Sequence, residues 1–284
     1  MSGRLRNPWG RPRFLVLVTG VYILWSLVPV ALAVLFAFNN GRSRTTWQGF
    51  STRWFTGPSG SVLNDPALQG ALRHTLFLGV VCVLVATPLG VALALGLQRW
   101  RGPGGGTVNT LMLLPLVTPE IVMGVALLLL FLQVFPALGL GTTSQAIGQV
   151  TFTLSYVVVI VRGRLVSIGK DYEEAAADLG APPHDQLLRV LLPLLAPAII
   201  ASAAVVFAIS LDDFVVTQYL SGDASTTTVS MLLYSSARAA PTPALNALAT
   251  IALLITLGTL AVAYLVYRRF AAGSDAVAMA GMEV

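Results

Sequence analysis

Long apolar runs alternate along this chain with short polar stretches that contain glycine, proline and arginine. Most runs approach the roughly 20 residues that an α-helix needs to cross the hydrocarbon core of a bilayer. Six runs predict six membrane-spanning helices, at about residues 14–38, 75–97, 108–134, 150–161, 194–216 and 246–267. The third contains Pro115 and Pro119, which disturb a helical backbone. The fourth is short unless residues 146–149 belong to it, and residues 139–149 are interpreted as an external loop before it.

Composition supports the same class of protein. The chain has 284 residues, of which 56% are hydrophobic and 10% charged, and its mean hydropathy is +0.80. These values exclude a soluble globular domain and predict an all-α, polytopic membrane protein. The net charge of +5 does not indicate nucleic-acid binding, because the basic residues form short groups beside the apolar runs. The single cysteine, Cys82, lies inside a run, so neither a disulfide framework nor a metal site is expected.

The basic residues predict the orientation. Cytoplasmic ends of membrane helices are enriched in Lys and Arg, and six spans place both termini on one side. Twelve basic residues fall on the side of the termini: Arg4, Arg6, Arg11, Arg13, Arg99, Arg101, Arg162, Arg164, Lys170, Arg189, Arg268 and Arg269. Five fall on the other: Arg42, Arg44, Arg53, Arg73 and Arg238. Both termini are therefore predicted to be cytoplasmic, in a multi-pass protein of the cell (inner or plasma) membrane.

The domain organisation follows from these spans. Residues 1–13 are expected to be a cytoplasmic N-terminal segment, residues 14–269 a six-helix transmembrane domain, and residues 270–284 a cytoplasmic tail. The first apolar run is interpreted as a retained helix, because it continues past the signal-peptidase-like sequence at residues 31–33. In the external loop that follows, Trp47, Trp54 and Phe55 are interpreted as anchors at the membrane interface.

A polar segment at residues 171–197 separates the fourth and fifth spans. Asp171 is a candidate N-cap, with Glu174 at the position of a capping box. Three alanines then favour helix, Gly180 favours its termination, and Pro182 and Pro183 suit the first turn of a second helix. The segment is predicted to be a short helix exposed on the cytoplasmic side. It could lie on the membrane surface or contact another protein.

The spacing inside this segment resembles a family signature. Glu174, Ala175 and Ala176 are followed after three residues by Gly180, and after nine more by the run from Val190 to Pro193. This pattern is similar to the EAA motif of binding-protein-dependent ABC importer permeases, with Val replacing Ile. The resemblance implies a coupling helix that docks on a cytoplasmic ATPase, with Glu173, Glu174, Ala175, Ala176, Gly180 and Pro193 as the coupling residues.

Three acidic residues in apolar surroundings are candidates for the substrate pathway. Glu120 lies in the third span and Asp212 and Asp213 lie near the end of the fifth. A carboxylate at membrane depth is costly and usually faces a pathway or a partner. The alternative is that these acids cap helix ends at the outer interface or pair with Arg238. No basic residue is expected at that depth.

Three further segments, at residues 114–122, 210–216 and 243–250, resemble the spermidine/putrescine branch of these permeases. That resemblance implies a small cationic substrate. It also implies a second permease subunit, usually a different homologous chain, an ATPase dimer that holds ATP and Mg²⁺, and an extracytoplasmic binding protein.

No catalytic motif or nucleotide-binding loop is present, so the chain is expected to be a transport subunit with no cofactor of its own rather than an enzyme. His74 and His184 are far apart and are interpreted as satisfied or solvated side chains. An ion-coupled secondary transporter and a membrane scaffold remain as alternatives. The segment at residues 226–240 is too short to cross a bilayer and is predicted to be an interfacial or re-entrant helix.

The substrate that the second resemblance implies is a polyamine such as spermidine or putrescine. Opines, other amines and organophosphonates remain as alternative substrates, because related permeases of the family serve them. The acidic candidates Glu120, Asp212 and Asp213 agree physically with a cation, since a carboxylate attracts an ammonium group.

Overall fold

The computed structural model describes residues 13–43, 45–100, 102–239 and 242–280. Its α-helices are α1 (Arg13–Ala37), α2 (Arg53–Thr56), α3 (Pro66–Arg99), α4 (Gly105–Val117), α5 (Glu120–Gln133), α6 (Thr142–Ile168), α7 (Asp171–Asp178), α8 (Pro183–Asp185), α9 (Leu192–Asp212), α10 (Val215–Tyr219), α11 (Val229–Ala239) and α12 (Pro243–Ala280). Within these ranges the one β pairing is an isolated antiparallel bridge between Asn39 and Phe50. Most of the predicted N-terminal segment and residues 281–284 lie outside the described residues.

In the part of the chain that the structure describes, five helical segments are long and apolar enough to cross a membrane: Phe14–Ala37, Pro66–Arg99, Thr142–Ile168, Pro183–Asp212 and Pro243–Arg269. A sixth candidate is the pair α4 and α5, whose axes are bent by 111° at a short break. The prediction of an all-α polytopic protein is confirmed. The third predicted span is interrupted by this bend, which is the geometry of a broken span or a re-entrant loop. The last helix was expected to stop at Arg269, but it continues to Ala280.

The break between α4 and α5 follows from Pro119. A residue that precedes proline is disfavoured in the α region, and Thr118 is extended, with φ −73° and ψ 131°. Pro119 is extended as well and occupies the N-cap of α5, where its missing N–H costs nothing. The Thr118 hydroxyl donates to the carbonyl oxygen of Leu114 at 2.7 Å and so satisfies a group at the end of α4. Glu120 consequently becomes the first residue of a helix.

The fourth span differs most from its prediction. Residues 139–149 were expected to form an external loop, but α6 begins at Thr142 and has 27 residues. The polar side chains responsible for that interpretation, Ser144, Gln145 and Gln149, are buried and hydrogen-bonded. Their polar groups therefore form hydrogen bonds inside the protein, and the helix is long enough to span a bilayer.

The chain divides into two compact units, the smaller of which contains α1, the loop through Asn64 and residues 242–250. In this unit Asn39 is fully buried, and its Oδ1 accepts from the backbone N–H of Gln48 at 2.7 Å. The indole of Trp54 is only 4% exposed and donates to the carbonyl oxygen of Asn39 at 2.6 Å. The interpretation of Trp54 as an interface anchor is therefore wrong, because the ring packs inside the loop. Trp47 is 42% exposed.

The larger unit comprises residues 65–241 and 251–284. Its main core joins α3, α6 and α9, with Cys82, Ala86, Val157, Val161, Leu195 and Val206 among the buried side chains. A second cluster joins α5 to α10 through Leu127, Phe131, Val216 and Leu220. Small residues let these helices approach closely, as is common between membrane helices. A Cβ on Gly148 of α6, for example, would lie 2.6 Å from Leu220 Cδ1.

Candidate functional site

A pocket of about 270 Å³ brings the three candidate acids together. Its lining residues are Glu120, Phe152, Tyr156, Ile209, Asp212, Asp213, Phe214 and Val215. They come from α5, α6, the end of α9 and the start of α10, so segments far apart in sequence supply the carboxylates. The rings of Phe152 and Tyr156 form an edge-to-face pair with centroids 5.6 Å apart. No Lys or Arg belongs to this lining among the described residues.

The three carboxylates have different surroundings. Glu120 is exposed in the first turn of α5, where the positive end of the helix dipole favours a negative charge. Asp212 is the last residue of α9 and is also exposed. Neither side chain makes a hydrogen bond or an ion pair inside the described part of the chain. Asp213 is only 7% exposed, and its side chain is held from two directions.

Asp213 closes the break between α9 and α10. Its Oδ1 accepts from the backbone N–H of Val216 at 3.1 Å, and its Oδ2 accepts from Gln149 Nε2 at 2.9 Å. The Thr217 hydroxyl donates to its carbonyl oxygen at 2.8 Å. Asp213 thus acts as a helix cap, in agreement with the alternative that these acids cap helix ends. The side chain of Arg238, the other partner considered, lies outside the described residues.

Two buried glutamines of α6 support this break, and sequence reasoning missed both. Gln145 Nε2 donates to the carbonyl oxygens of Thr217 and Thr226 at 2.9 and 3.0 Å, and its Oε1 contacts His74 Nε2 at 2.8 Å. Gln149 stands one helical turn further on and contacts the end of α9. Their spacing of four residues could have identified them, because it places both side chains on one face of a helix. His74 has a partner, as expected.

The interfacial segment is a helix, α11, and it contacts the same break. The Ser230 hydroxyl donates to the carbonyl oxygen of Asp213 at 2.7 Å. The rings of Phe214 and Tyr234 have centroids 4.2 Å apart. The backbone N–H of Val229 donates to the Thr75 hydroxyl at 2.9 Å. A short helix too short to span a bilayer is therefore joined to the pocket wall.

The segment that resembles the EAA motif forms α7 and the turn after it. Gly180 has φ +82°, a left-handed conformation that glycine adopts without steric cost. Its N–H donates to Ala177 at 2.8 Å and the next N–H, of Ala181, donates to Ala176 at 3.0 Å. These two bonds form a Schellman ending, so the predicted helix stop is confirmed. Pro183 then begins α8, also as predicted.

Two details of this segment were not predicted correctly. Asp171 was a candidate N-cap, but it is the first residue of α7, and Lys170 precedes it without a side-chain capping bond. Acidic residues in the first turn still favour the helix through its dipole. Residues Gln186–Leu191 form a π-helix before α9, which no local pattern had indicated. Pro193 is exposed in the first turn of α9.

The residues predicted to couple to an ATPase divide between an outer surface and an internal contact. Glu174 and Ala175 are exposed, and Leu179 beside Gly180 is 90% exposed. Glu173 instead forms an ion pair with Arg99 at the end of α3, and its side chain is 22% exposed. Ala176 is half-buried. The exposed residues form an apolar and acidic surface, whereas the Glu173 ion pair connects α7 to the end of α3. His184 is exposed and lies 3.2 Å from Asp185.

Residues 86–273 match the model of a protein family described as the binding-protein-dependent transport system inner membrane component. The chain belongs to this family. It is consequently a multi-pass membrane permease of an ABC importer rather than an enzyme.

Curated relatives are similar in sequence to this permease along most of its length. It is 35% identical over 254 residues to the putrescine transport system permease protein PotI of Escherichia coli K12, covering 88% of this chain and 87% of that protein. It is 34% identical over 242 residues to the spermidine/putrescine transport system permease protein PotC of Haemophilus influenzae, covering 85% of this chain and 91% of that protein.

Solved structures share the fold. A bacterial ABC transporter involved in the import of the acidic polysaccharide alginate matches with a TM-score of 0.72 at 17% identity, over 94% of this chain and 99% of that one. An amino acid ABC transporter matches with a TM-score of 0.54 at 21% identity, over 73% of this chain and 96% of that one. Because one neighbour imports a polysaccharide and the other is an amino acid transporter, this fold does not determine the substrate.

Proposed function

We propose that this permease imports a small cationic amine, a polyamine such as putrescine or spermidine. The observation that supports this proposal is the pocket in which Glu120, Asp212 and Asp213 meet. Two of these carboxylates are exposed and have no partner among the side chains that the structure describes, so an ammonium group can reach them. The names of the curated relatives point to the same substrates.

The chemistry of the pocket favours amines over the other substrates of the family. Carboxylates and aromatic faces both attract ammonium groups, and an aromatic contact contributes about 0.5–2 kcal/mol depending on desolvation. Phe152, Tyr156 and Phe214 supply such rings beside the acids. An organophosphonate carries negative charge and would be repelled by the same carboxylates.

The permease would act in a larger assembly. A second permease subunit supplies the other half of the pathway, and an extracytoplasmic binding protein delivers the substrate. An ATPase pair, which holds ATP and Mg²⁺, docks on the surface that includes Glu174, Ala175 and Gly180. Both termini lie in the cytoplasm in this arrangement. ATP-driven closure of the ATPases then shifts the spans between inward and outward states by rigid-body movement.

Uptake by the reconstituted assembly tests the substrate assignment. Asp212→Asn and Glu120→Gln are each expected to lower putrescine uptake by about tenfold, because each removes a charge that faces the cation. Asp65→Asn is the matched control: it also replaces an acid, and asparagine retains the capping function of Asp65 at the start of α3. Unchanged uptake in both pocket variants would contradict the proposal.

A further inference from the structure

We propose that Gln149 is a positioning residue that holds Asp213 inside the protein and leaves Asp212 as the acid that faces the substrate. This inference rests on the proposed function of the pocket and assigns different roles to two adjacent aspartates. Asp212 and Glu120 bind the cation, whereas Asp213 maintains the break between α9 and α10.

The contacts of Gln149 are saturated. Its Nε2 donates to Asp213 Oδ2 at 2.9 Å and to the carbonyl oxygen of Ser210 at 3.3 Å. Its Oε1 accepts from the Ser210 hydroxyl at 2.6 Å and from Cys82 Sγ at 3.2 Å. The side chain is 1% exposed. A buried amide with these partners has one preferred orientation, because turning it would oppose its oxygen to Asp213 and leave donors unmatched.

The position of Asp213 determines the direction of Asp212. Both Asp213 carboxylate oxygens accept hydrogen bonds, from Gln149 and from the backbone of Val216. Its backbone is extended, with φ −60° and ψ 115°, so α9 ends at the preceding residue. Adjacent side chains at a helix end point in different directions, and of this pair Asp213 is buried and Asp212 is exposed. With Asp213 fixed inside, Asp212 remains at the exposed side of the pocket.

Uptake by the complete assembly separates the two aspartates. Asp213→Asn is expected to keep uptake within about threefold of the parent, because it removes no charge that faces the cation and its single side-chain oxygen still accepts one of the two hydrogen bonds that Asp213 accepts. Asp212→Asn, in contrast, is expected to lower uptake by about tenfold. Gln149→Glu places a second carboxylate beside Asp213 and is expected to lower uptake by about tenfold or more. Combining it with Asp213→Asn restores an amide and carboxylate pair and is expected to recover most of the uptake.

Thiol labelling supplies a measurement that needs no substrate. In a Cys82→Ser background, which keeps a hydrogen-bond donor to Gln149, we expect the cysteine of Asp212→Cys to react quickly with a cationic methanethiosulfonate. The cysteine of Asp213→Cys should react at least about tenfold more slowly, since that position is buried. Adding Gln149→Leu to the Asp212→Cys variant, in which Asp213 is intact, should slow the labelling at position 212 and so reduce this difference. In the parent chain, Cys82 should stay unreactive because it is fully buried.

The two sets of results distinguish this inference from the proposed function. If no polyamine is transported but the labelling order and its dependence on Gln149 hold, the substrate assignment fails and the positioning role stands. Equal loss of uptake in Asp212→Asn and Asp213→Asn, equal labelling at the two positions, or no recovery in the Gln149→Glu, Asp213→Asn double variant would overturn the positioning role.

Discussion

Gly180→Asp tests whether α7 docks on another protein. A Cβ at Gly180 would meet nothing within 4 Å, so the added side chain has room inside the permease. The cost to the chain itself is the left-handed backbone, about 1–2 kcal/mol for an ordinary residue and less for Asp, which adopts this conformation more readily. The variant is therefore expected to insert and to remain folded. Any larger effect must come from a partner that lies against the glycine.

Gly104→Asp is the matched control. Gly104 has a similar left-handed φ of +90°, and a Cβ there would also meet nothing within 4 Å, but it caps α4 and lies outside the proposed docking segment. We expect Gly180→Asp to lower ATP-driven uptake by about tenfold or more, because a charged group would be forced into an interface, and Gly104→Asp to change it by less than about twofold. Both variants should melt near the parent in detergent.

The measurement is ATP-driven uptake into proteoliposomes, together with the amount of ATPase that copurifies with each variant. Docking at this segment predicts that Gly180→Asp loses both the ATPase and the uptake. Normal uptake by Gly180→Asp, or equal losses in the two variants, would refute the docking assignment.

Two further predictions concern contacts inside the chain. Arg99→Glu should lower uptake severalfold by repelling Glu173, and the Arg99→Glu, Glu173→Arg double variant should recover it. The melting temperature should change little, because an exposed ion pair contributes about 0–1 kcal/mol. Failure of the double variant to recover uptake would argue against a pairing role. Gly148→Ala should destabilise the solubilised permease by about 1–3 kcal/mol through overlap with Leu220. Gly163→Ala, on the same helix but with open space around it, should be neutral or slightly stabilising in the same thermal denaturation experiment.

The sequence predicted what depends on local signals. Span positions follow from hydropathy, and the stop at Gly180 and the start at Pro183 follow from backbone preferences that act over a few residues. The break at Pro119 was likewise expected, because proline restricts the residue before it.

What the sequence did not predict depends on partners that are distant in the chain. Gln145 and Gln149 have the polarity of loop residues, and only the carbonyls and carboxylate 61–81 residues away make them interior groups of α6. Trp54 was assigned to the interface for the same reason, since its partner Asn39 was not recognisable. The different roles of Asp212 and Asp213 also require three-dimensional contacts, because the two residues are chemically identical and adjacent.

ATPase activity of the co-expressed assembly in lipid tests the central claim most directly. The permease, its partner permease, the ATPase and the binding protein would be assayed with putrescine, spermidine, other amines and organophosphonates. The account predicts stimulation by a polyamine and none by an organophosphonate. Stimulation by an organophosphonate alone would contradict the substrate assignment, and the absence of any complex with an ATPase would contradict the coupling role of α7.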